Sequence, residues 1–197
     1  MKSLILVCAM MFAGSVFAAP ENGKPAPDFT AQGADGKTYH LKDLAGKMVV
    51  LEWFNKDCPY VKKHYDSKNM QNLQKEYTAK GVVWLTVASS AKGKEGFVDK
   101  AAANKVITEK GLASTTMLLD SEGKVATAYA AKTTPHMFVI DKKGLLAYQG
   151  AIDDQPSANQ KTLQGAKNYV AAALTSLDKG EPVKEASTAP YGCSVKY

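Results

Sequence analysis

The sequence predicts an α/β fold in which helices flank a mixed central sheet. Three observations lead to this prediction. Short apolar runs rich in β-branched residues alternate with longer segments of helical periodicity through the middle of the chain. A strong hairpin-turn signal precedes this alternation. After it, two further apolar runs are joined by a tight turn and followed by an amphipathic segment.

The first predicted element is a hairpin of two short strands joined at Asp35-Gly36, a dipeptide typical of tight turns. Residues 48–54 then form a buried strand, because Val, Leu, Trp and Phe dominate the run. Helical periodicity follows over residues 59–80, and Gly81 ends it. A second buried strand over residues 82–88 completes a right-handed βαβ unit, whose two strands should be parallel.

The second half of the chain continues the alternation. We predict a helix over residues 97–110, a strand over 115–119, a short helix over 125–130, an antiparallel hairpin of strands 137–140 and 145–149, and an amphipathic helix over 162–177.

The N-terminus has the pattern of an export signal. Lys2 supplies positive charge, an apolar stretch follows, and Ala18 ends a small-residue cleavage motif. We expect residues 1–18 to be a signal peptide, residues 19–178 one domain, and residues 179–197 a tail that is flexible enough to swing. The mature protein would then be periplasmic or secreted, in an oxidising compartment and without a membrane span.

Composition excludes some classes of partner and site. The net charge of +6 comes from scattered lysines without interleaved aromatics, so we expect a solvated basic surface and no nucleic-acid partner. Cys8 lies in the predicted signal, which leaves Cys58 and Cys193 and allows one pairing within a chain. No CxxC or clustered Cys/His spacing is present, so we expect neither a metal site nor a cofactor.

Cys58 is the candidate nucleophile. It follows the strand over residues 48–54 and directly precedes Pro59, a residue favoured at the first position of a helix. A helix N-terminus stabilises a thiolate, and three nearby lysines add positive charge. These lysines are Lys56, Lys62 and Lys63. The alternative is a small buried core cysteine.

Several stretches resemble the redoxin branch of the thioredoxin fold. Residues 48–62 are similar to its active-site strand and helix, and Thr133-Thr134-Pro135 to its cis-proline loop. Ala26-Pro27-Asp28-Phe29 and Asp35-Gly36-Lys37 resemble its opening. Cys-Pro-Tyr-Val and the Gly-Cys-Ser tail are similar to a peroxiredoxin-like, AhpC/TSA-type subgroup. The resemblance implies a thioredoxin-like three-layer sandwich with a mixed sheet, an N-terminal β-hairpin extension and a C-terminal tail.

The resemblance also implies roles for single residues. Thr134 and a cis Pro135 would form a substrate platform beside Cys58 and Pro59. His136 would orient a substrate or the thiolate, or else point away along its strand. His64 is expected on the surface of its helix, because it lies roughly opposite Cys58.

Glu52 is the charged residue in the otherwise apolar strand before Cys58. In thioredoxins a buried acid at the matching position moves protons to and from the cysteines. Burial would raise its pKa toward that of a general base near neutral pH. The alternative is an exposed edge position or an ion pair with Lys56.

Two departures from the family pattern limit the transfer of activity. Val61 stands where a thioredoxin has its second cysteine, and Asn55 stands where a typical peroxiredoxin has Thr. Neither the vicinal-disulfide cycle nor the usual peroxidase site therefore transfers directly.

The predicted function is that of an exported thiol oxidoreductase. Cys58 would attack a small peroxide or a cysteine-containing protein, and Cys193 or an external thiol reductant would resolve the product. The chain would be a monomer or a homodimer, and pairing within or between chains stays open. The alternatives are a redox-inactive client-binding module and, less favoured, a metallochaperone that uses Cys58 with His136.

Overall fold

The computed structural model describes residues 19–197, so the predicted signal peptide lies outside the described residues. The strands are β1 Thr30–Gly33, β2 Thr38–His40, β3 Val49–Trp53, β4 Val83–Ala88, β5 Thr116–Leu119, β6 Thr133–Thr134, β7 Met137–Ile140, β8 Leu146–Gly150 and β9 Cys193–Ser194. The α-helices are α1 Pro59–Asp66, α2 Asn69–Ala79, α3 Lys100–Lys110, α4 Lys124–Ala128 and α5 Tyr169–Asp178.

Seven strands form the mixed central sheet, in the order β2-β1-β5-β4-β3-β7-β8. β3 and β4 are parallel, as predicted, and β7 joins β3 in antiparallel register. The predicted hairpin at Asp35-Gly36 is present, and it extends the sheet because β1 also pairs with β5. The predicted mixed sheet flanked by helices is therefore confirmed.

An apolar core lies on each face of the sheet. Residues of α1, α2, α3 and α5 pack on one face, and Cys58 belongs to this cluster. The opposite face is covered by α4 and by residues around β1, with Trp53 and Phe138 in its centre. This three-layer arrangement places the candidate nucleophile on the face that carries four of the helices.

Two helices begin later in the structure than the sequence predicts. The helix predicted over residues 97–110 begins at Lys100, because the Asp99 side chain caps it by accepting from Ala102 N–H at 2.8 Å. The helix predicted over 162–177 begins only at Tyr169. The apolar periodicity continues through Gly165, but the φ of +76° at this residue breaks the helical backbone. The helix instead begins after Asn168, whose side chain caps it.

The C-terminal tail is docked along the domain. Its main chain follows β8, where Gln149 N–H donates to the Ala186 carbonyl and Thr188 N–H donates to the Gln149 carbonyl. Further on, β9 pairs antiparallel with β6, which places Cys193 opposite Thr134. The tail therefore closes over the β6 loop instead of extending into solvent.

Within residues 19–197, no helix combines the length and the apolar character that crossing a membrane requires.

Candidate active site

Cys58 lies at the junction between β3 and α1. It takes the N-cap position with extended backbone angles, and Pro59 occupies the first helical position at the surface. The predicted strand, loop and helix N-terminus are therefore present. The Cys58 side chain itself is fully buried, with 0% exposure.

The two thiols of the described chain meet although they are 135 positions apart in sequence. The Sγ atoms of Cys58 and Cys193 lie 2.6 Å apart, and both residues are free cysteines. The carbonyl oxygen of Thr134 is 3.0 Å from the Cys58 sulfur and accepts from its thiol. The tail is thus the cover that buries Cys58.

The loop at Pro135 holds the tail in place. The Thr134–Pro135 peptide bond is cis, as predicted. Gly192 lies against this loop with φ +139°, and a Cβ at that position would collide with the Thr134 carbonyl. A glycine is therefore required directly before Cys193 for the tail to approach so closely.

The environment of the site shifts the pKa values of its two thiols in opposite directions. Burial works against the Cys58 thiolate, but hydrogen bonds from the side chains of Cys193 and Thr134 and from the main-chain N–H groups of Val61 and Cys193 outweigh it and lower its pKa. Burial and the hydrogen bond to Cys58 raise the pKa of Cys193 to about 12. Cys58 is therefore the more acidic thiol of the pair.

The charges of the nearby lysines were predicted to stabilise the Cys58 thiolate, but they do not account for its lowered pKa. Lys63 is turned into the protein, where its Nζ lies 3.6 Å from Asp153 Oδ2, and Lys56 pairs with Asp57 at 2.6 Å. The lowered pKa of Cys58 comes from hydrogen bonds, including one at the helix N-terminus, and the lysine charges are not among its causes.

Glu52 is buried in β3 and is held by three donors. Its carboxylate accepts from the Tyr65 hydroxyl at 2.6 Å, Trp84 Nε1 at 2.7 Å and Gln74 Nε2 at 2.9 Å. Burial raises the pKa of the Glu52 carboxyl, and the three hydrogen bonds only partly offset it. The alternatives of an exposed edge position and an ion pair with Lys56 are therefore wrong.

His136 lies on the other side of the sheet from Cys58. Its ring packs against Phe138 with the centroids 4.4 Å apart, and its Nδ1 accepts from the Lys132 N–H at 3.2 Å. Phe138 belongs to the opposite core, since side chains alternate across a strand. Of the two orientations considered for His136, the structure has the one that points away from the thiol.

His64 was predicted at the surface, and this prediction is wrong. Its side chain is fully buried, and its Nε2 lies 3.3 Å from the Tyr191 hydroxyl of the tail and 3.9 Å from Asp153 Oδ2. Burial lowers the pKa of His64 to about 4, which leaves the ring neutral near pH 7. The tail covers what would otherwise be an exposed helix face.

A buried polar cluster therefore exists that sequence reasoning missed. It consists of Lys63 and His64 of α1, Asp153 and the tail residue Tyr191. Its members are 38 to 128 positions apart across the tail contacts, so no local pattern links them. The available signal was the position of Tyr191, two residues before Cys193.

The described residues 19–197 contain no group of three or more His, Cys, Asp or Glu side chains arranged to hold a metal ion.

Comparisons with known proteins place the chain in a family. Residues 22–149 match the AhpC/TSA family, to which this chain belongs. The chain is 29% identical to the thiol-disulfide oxidoreductase ResA of Bacillus subtilis over 148 residues, which cover 72% of this chain and 76% of that protein. It is also 29% identical to a putative peroxiredoxin, bcp, of Helicobacter pylori over 140 residues, 68% of this chain and 82% of that one. A crystal structure of an uncharacterized conserved protein from Geobacillus kaustophilus superimposes with a TM-score of 0.78 at 28% identity, covering 93% of this chain and 94% of that one.

The family match confirms the predicted redoxin fold and, at the level of the family, the predicted thiol-dependent oxidoreductase. The matched segment ends at residue 149. Asp153 and the tail that carries Tyr191 and Cys193 lie beyond it.

The lowered pKa of Cys58 gives the first prediction. In a Cys193→Ser protein the new hydroxyl can still donate, so Cys58 should titrate below the free-thiol value of about 8.5. In a Cys193→Ala protein this donor is lost, and the midpoint should be higher than in Cys193→Ser. The measurement is ultraviolet thiolate absorbance against pH.

The matched control is the double variant without either thiol, whose spectrum supplies the tyrosine background. Equal midpoints in the two single variants would contradict the hydrogen-bond explanation, and midpoints at or above the free-thiol value would contradict an activated Cys58.

Proposed function

We propose that this protein is an exported thiol oxidoreductase in which Cys58 is the nucleophile and Cys193 of the same chain resolves the product. The observation that carries the proposal is the 2.6 Å approach of the two Sγ atoms. Export rests on the signal pattern in residues 1–18.

The reaction divides into two steps. The Cys58 thiolate attacks one oxygen of a peroxide, the O–O bond breaks, and the second oxygen leaves as water or an alcohol, so that Cys58 becomes a sulfenic acid. With a disulfide substrate, the thiolate attacks one sulfur, the other leaves as a thiol, and a mixed disulfide forms. The sulfur of Cys193 then attacks Cys58, expelling water or the second substrate thiol and closing the Cys58–Cys193 bond. Two equivalents of an external thiol reduce this bond and restore both cysteines.

The split in acidity supports these roles. A thiolate is the reacting form of cysteine, and Cys58 is the one whose pKa is lowered. Cys193 keeps its proton and stays a hydrogen-bond donor until Cys58 has been oxidised.

Access to Cys58 requires the tail to move. With the tail docked, the Cys58 side chain has 0% exposure. An oxidant therefore reaches the thiolate when β9 leaves β6, and the same segment returns to resolve the product. The residues of the tail are intermediate or exposed, as expected of a segment that opens locally.

The platform at Thr134 and Pro135 supports a protein disulfide as one substrate class. β9 shows that this loop accepts an extended chain in antiparallel pairing, with a cysteine opposite Thr134. A cysteine-containing segment of another protein can bind in the same way once the tail has left. A small peroxide needs only access to the Cys58 thiolate. Pro59, which is next to Cys58, is exposed at the surface where this access would open.

The second prediction concerns the oxidised product. One equivalent of hydrogen peroxide, or of a small disulfide, should give a peptide that joins Cys58 to Cys193 in monomeric protein. The expected pairing follows from the contact of the two sulfurs in one chain. Peptide mapping by mass spectrometry without reductant makes the measurement.

Cys58→Ser and Cys193→Ser are the matched controls. The first should not consume oxidant, and the second should stop at a sulfenic acid or a mixed disulfide. If Cys58 reacted with neither oxidant, the redox-inactive client-binding function would be favoured. If the linked peptide were found only in covalent dimers, Cys193 of a second chain would be the resolving residue.

Glu52 completes the proposal as a buried group that exchanges protons with the site. Its raised pKa suits this role, and its hydrogen-bond partner Tyr65 packs in the same apolar cluster as Cys58. No hydrogen bond joins Glu52 to Cys58 itself among the described residues, so the exchange proceeds through intervening groups or water.

The third prediction is that Glu52→Gln slows the reaction of Cys58 with oxidant while the protein stays folded. The amide oxygen can still accept from Trp84 and Gln74, and the amide can donate to the Tyr65 hydroxyl. Stopped-flow measurement of oxidant consumption gives the rate. An unchanged rate would make Glu52 a structural residue.

A stability measurement provides the control for this variant. Because the folded pKa of Glu52 is raised, the folded state binds the proton more tightly than the unfolded state. The free energy of unfolding contributed by this group is therefore full below the unfolded pKa and is lost as pH rises through the folded pKa. The lowered pKa of His64 acts in the opposite direction but is shared by both proteins. The free energy of unfolding of the parent minus that of Glu52→Gln, measured with urea, should therefore be smaller at about pH 8 than at about pH 4.

A further inference from the structure

The Tyr191 hydroxyl is buried in a polar cluster that the reaction described above does not use. It donates to Asp153 Oδ1, and Lys63 Nζ lies 3.4 Å from its oxygen. His64 Nε2 lies 3.3 Å from the same oxygen. Three polar groups of the domain therefore converge on one phenol of the tail.

The ring of Tyr191 is also matched to its surroundings. The Tyr60 ring contacts it edge to face with the centroids 5.8 Å apart. Lys63 Nζ lies 5.4 Å from the ring centroid, within the range of a cation–π contact. The site thus fits both the apolar body and the polar end of a phenol.

The side chains that the domain contributes to this cluster are buried. The side chains of Lys63 and His64 have 0% exposure and that of Asp153 has 2%. Among residues 19–197, Asp153 Oδ2 finds no hydrogen-bond partner, and the charge of Lys63 lies 3.6 Å away. Without Tyr191, the Asp153 carboxylate would lose a hydrogen-bond donor, and a buried carboxylate that loses a partner is destabilised.

The cluster and the nucleophile share one rigid element. Cys58 is the N-cap of α1, and Lys63 and His64 lie further along the same helix. On the tail, only Gly192 separates Tyr191 from Cys193, and it is pressed against the Thr134 carbonyl. The position of the phenol therefore determines where the tail sulfur lies relative to the Cys58 sulfur.

We propose that Lys63, His64 and Asp153 form a phenol-binding subsite that seats Tyr191 and thereby places Cys193 on Cys58. Tyr191 is then a positioning residue for the resolving step. The inference rests on the proposed function, since it assigns the device that brings the resolving thiol to the nucleophile.

The test is Tyr191→Phe, which removes one hydroxyl and keeps the ring. The reduced protein is equilibrated with oxidised and reduced glutathione, so that protein dithiol and glutathione disulfide exchange with protein disulfide and two glutathione thiols. The equilibrium constant measures the effective concentration of Cys193 at Cys58. It should fall about tenfold, because the lost hydrogen bond has a charged acceptor.

A second readout follows the site directly. The looser tail should expose Cys58, so its alkylation by iodoacetamide in reduced Tyr191→Phe should be faster than in the parent protein. The sulfenic acid formed with peroxide should also persist longer before the disulfide closes. A loss of overall stability alone would not produce faster labelling of Cys58 together with slower resolution.

Tyr197→Phe is the matched control, because Tyr197 lies in the same tail, is 53% exposed and packs beside Gly123. It should leave the equilibrium constant and the labelling rate unchanged. An equilibrium constant for Tyr191→Phe within about twofold of the parent value, or an equal fall in both variants, would overturn the proposal. If the parent protein formed no Cys58–Cys193 disulfide in any glutathione mixture, the proposed function would fail instead.

Discussion

The contact between the sulfurs of Cys58 and Cys193 is the interaction on which the rest of the site depends. It requires a helix that begins at the end of a central strand, a cis-proline loop that accepts an extended chain, and a tail whose glycine can lie against that loop. Each of these three features contributes to the 2.6 Å distance between the two sulfur atoms. Together they turn a site with a single thiol on its helix into a pair of thiols with different acidities.

Burial and reactivity are reconciled by the movable tail. When β9 leaves, the Cys58 thiolate loses the hydrogen bonds from Cys193 and keeps those from the Thr134 side chain and from the Val61 N–H at the helix N-terminus. In the proposed function, the docked tail excludes other molecules and supplies the resolving thiol at a high effective concentration. Because most of the chain is already ordered, docking orders only a short segment, and the 135 positions between the cysteines add little cost.

Local sequence patterns were sufficient for the individual strands and for the position of Cys58, because each depends on neighbouring residues. The cis bond before Pro135 was predicted from the resemblance of its loop to that of the thioredoxin fold. Local patterns failed for the helix over residues 162–177, where apolar periodicity hid the break at Gly165. His64 was misplaced for a different reason: its helix face is exposed in isolation and is buried only by the tail. The cluster with Asp153 depends on long-range packing, which no local pattern encodes.

The most direct test of the central claim is the rate of Cys58–Cys193 bond formation after a rapid pulse of peroxide, measured over about a hundredfold range of protein concentration. Resolution within one chain predicts a rate independent of concentration, and a mixture of Cys58→Ser and Cys193→Ser chains that forms no such bond on the same timescale. A rate proportional to concentration, with efficient bond formation in the mixture, would contradict resolution by the chain's own tail.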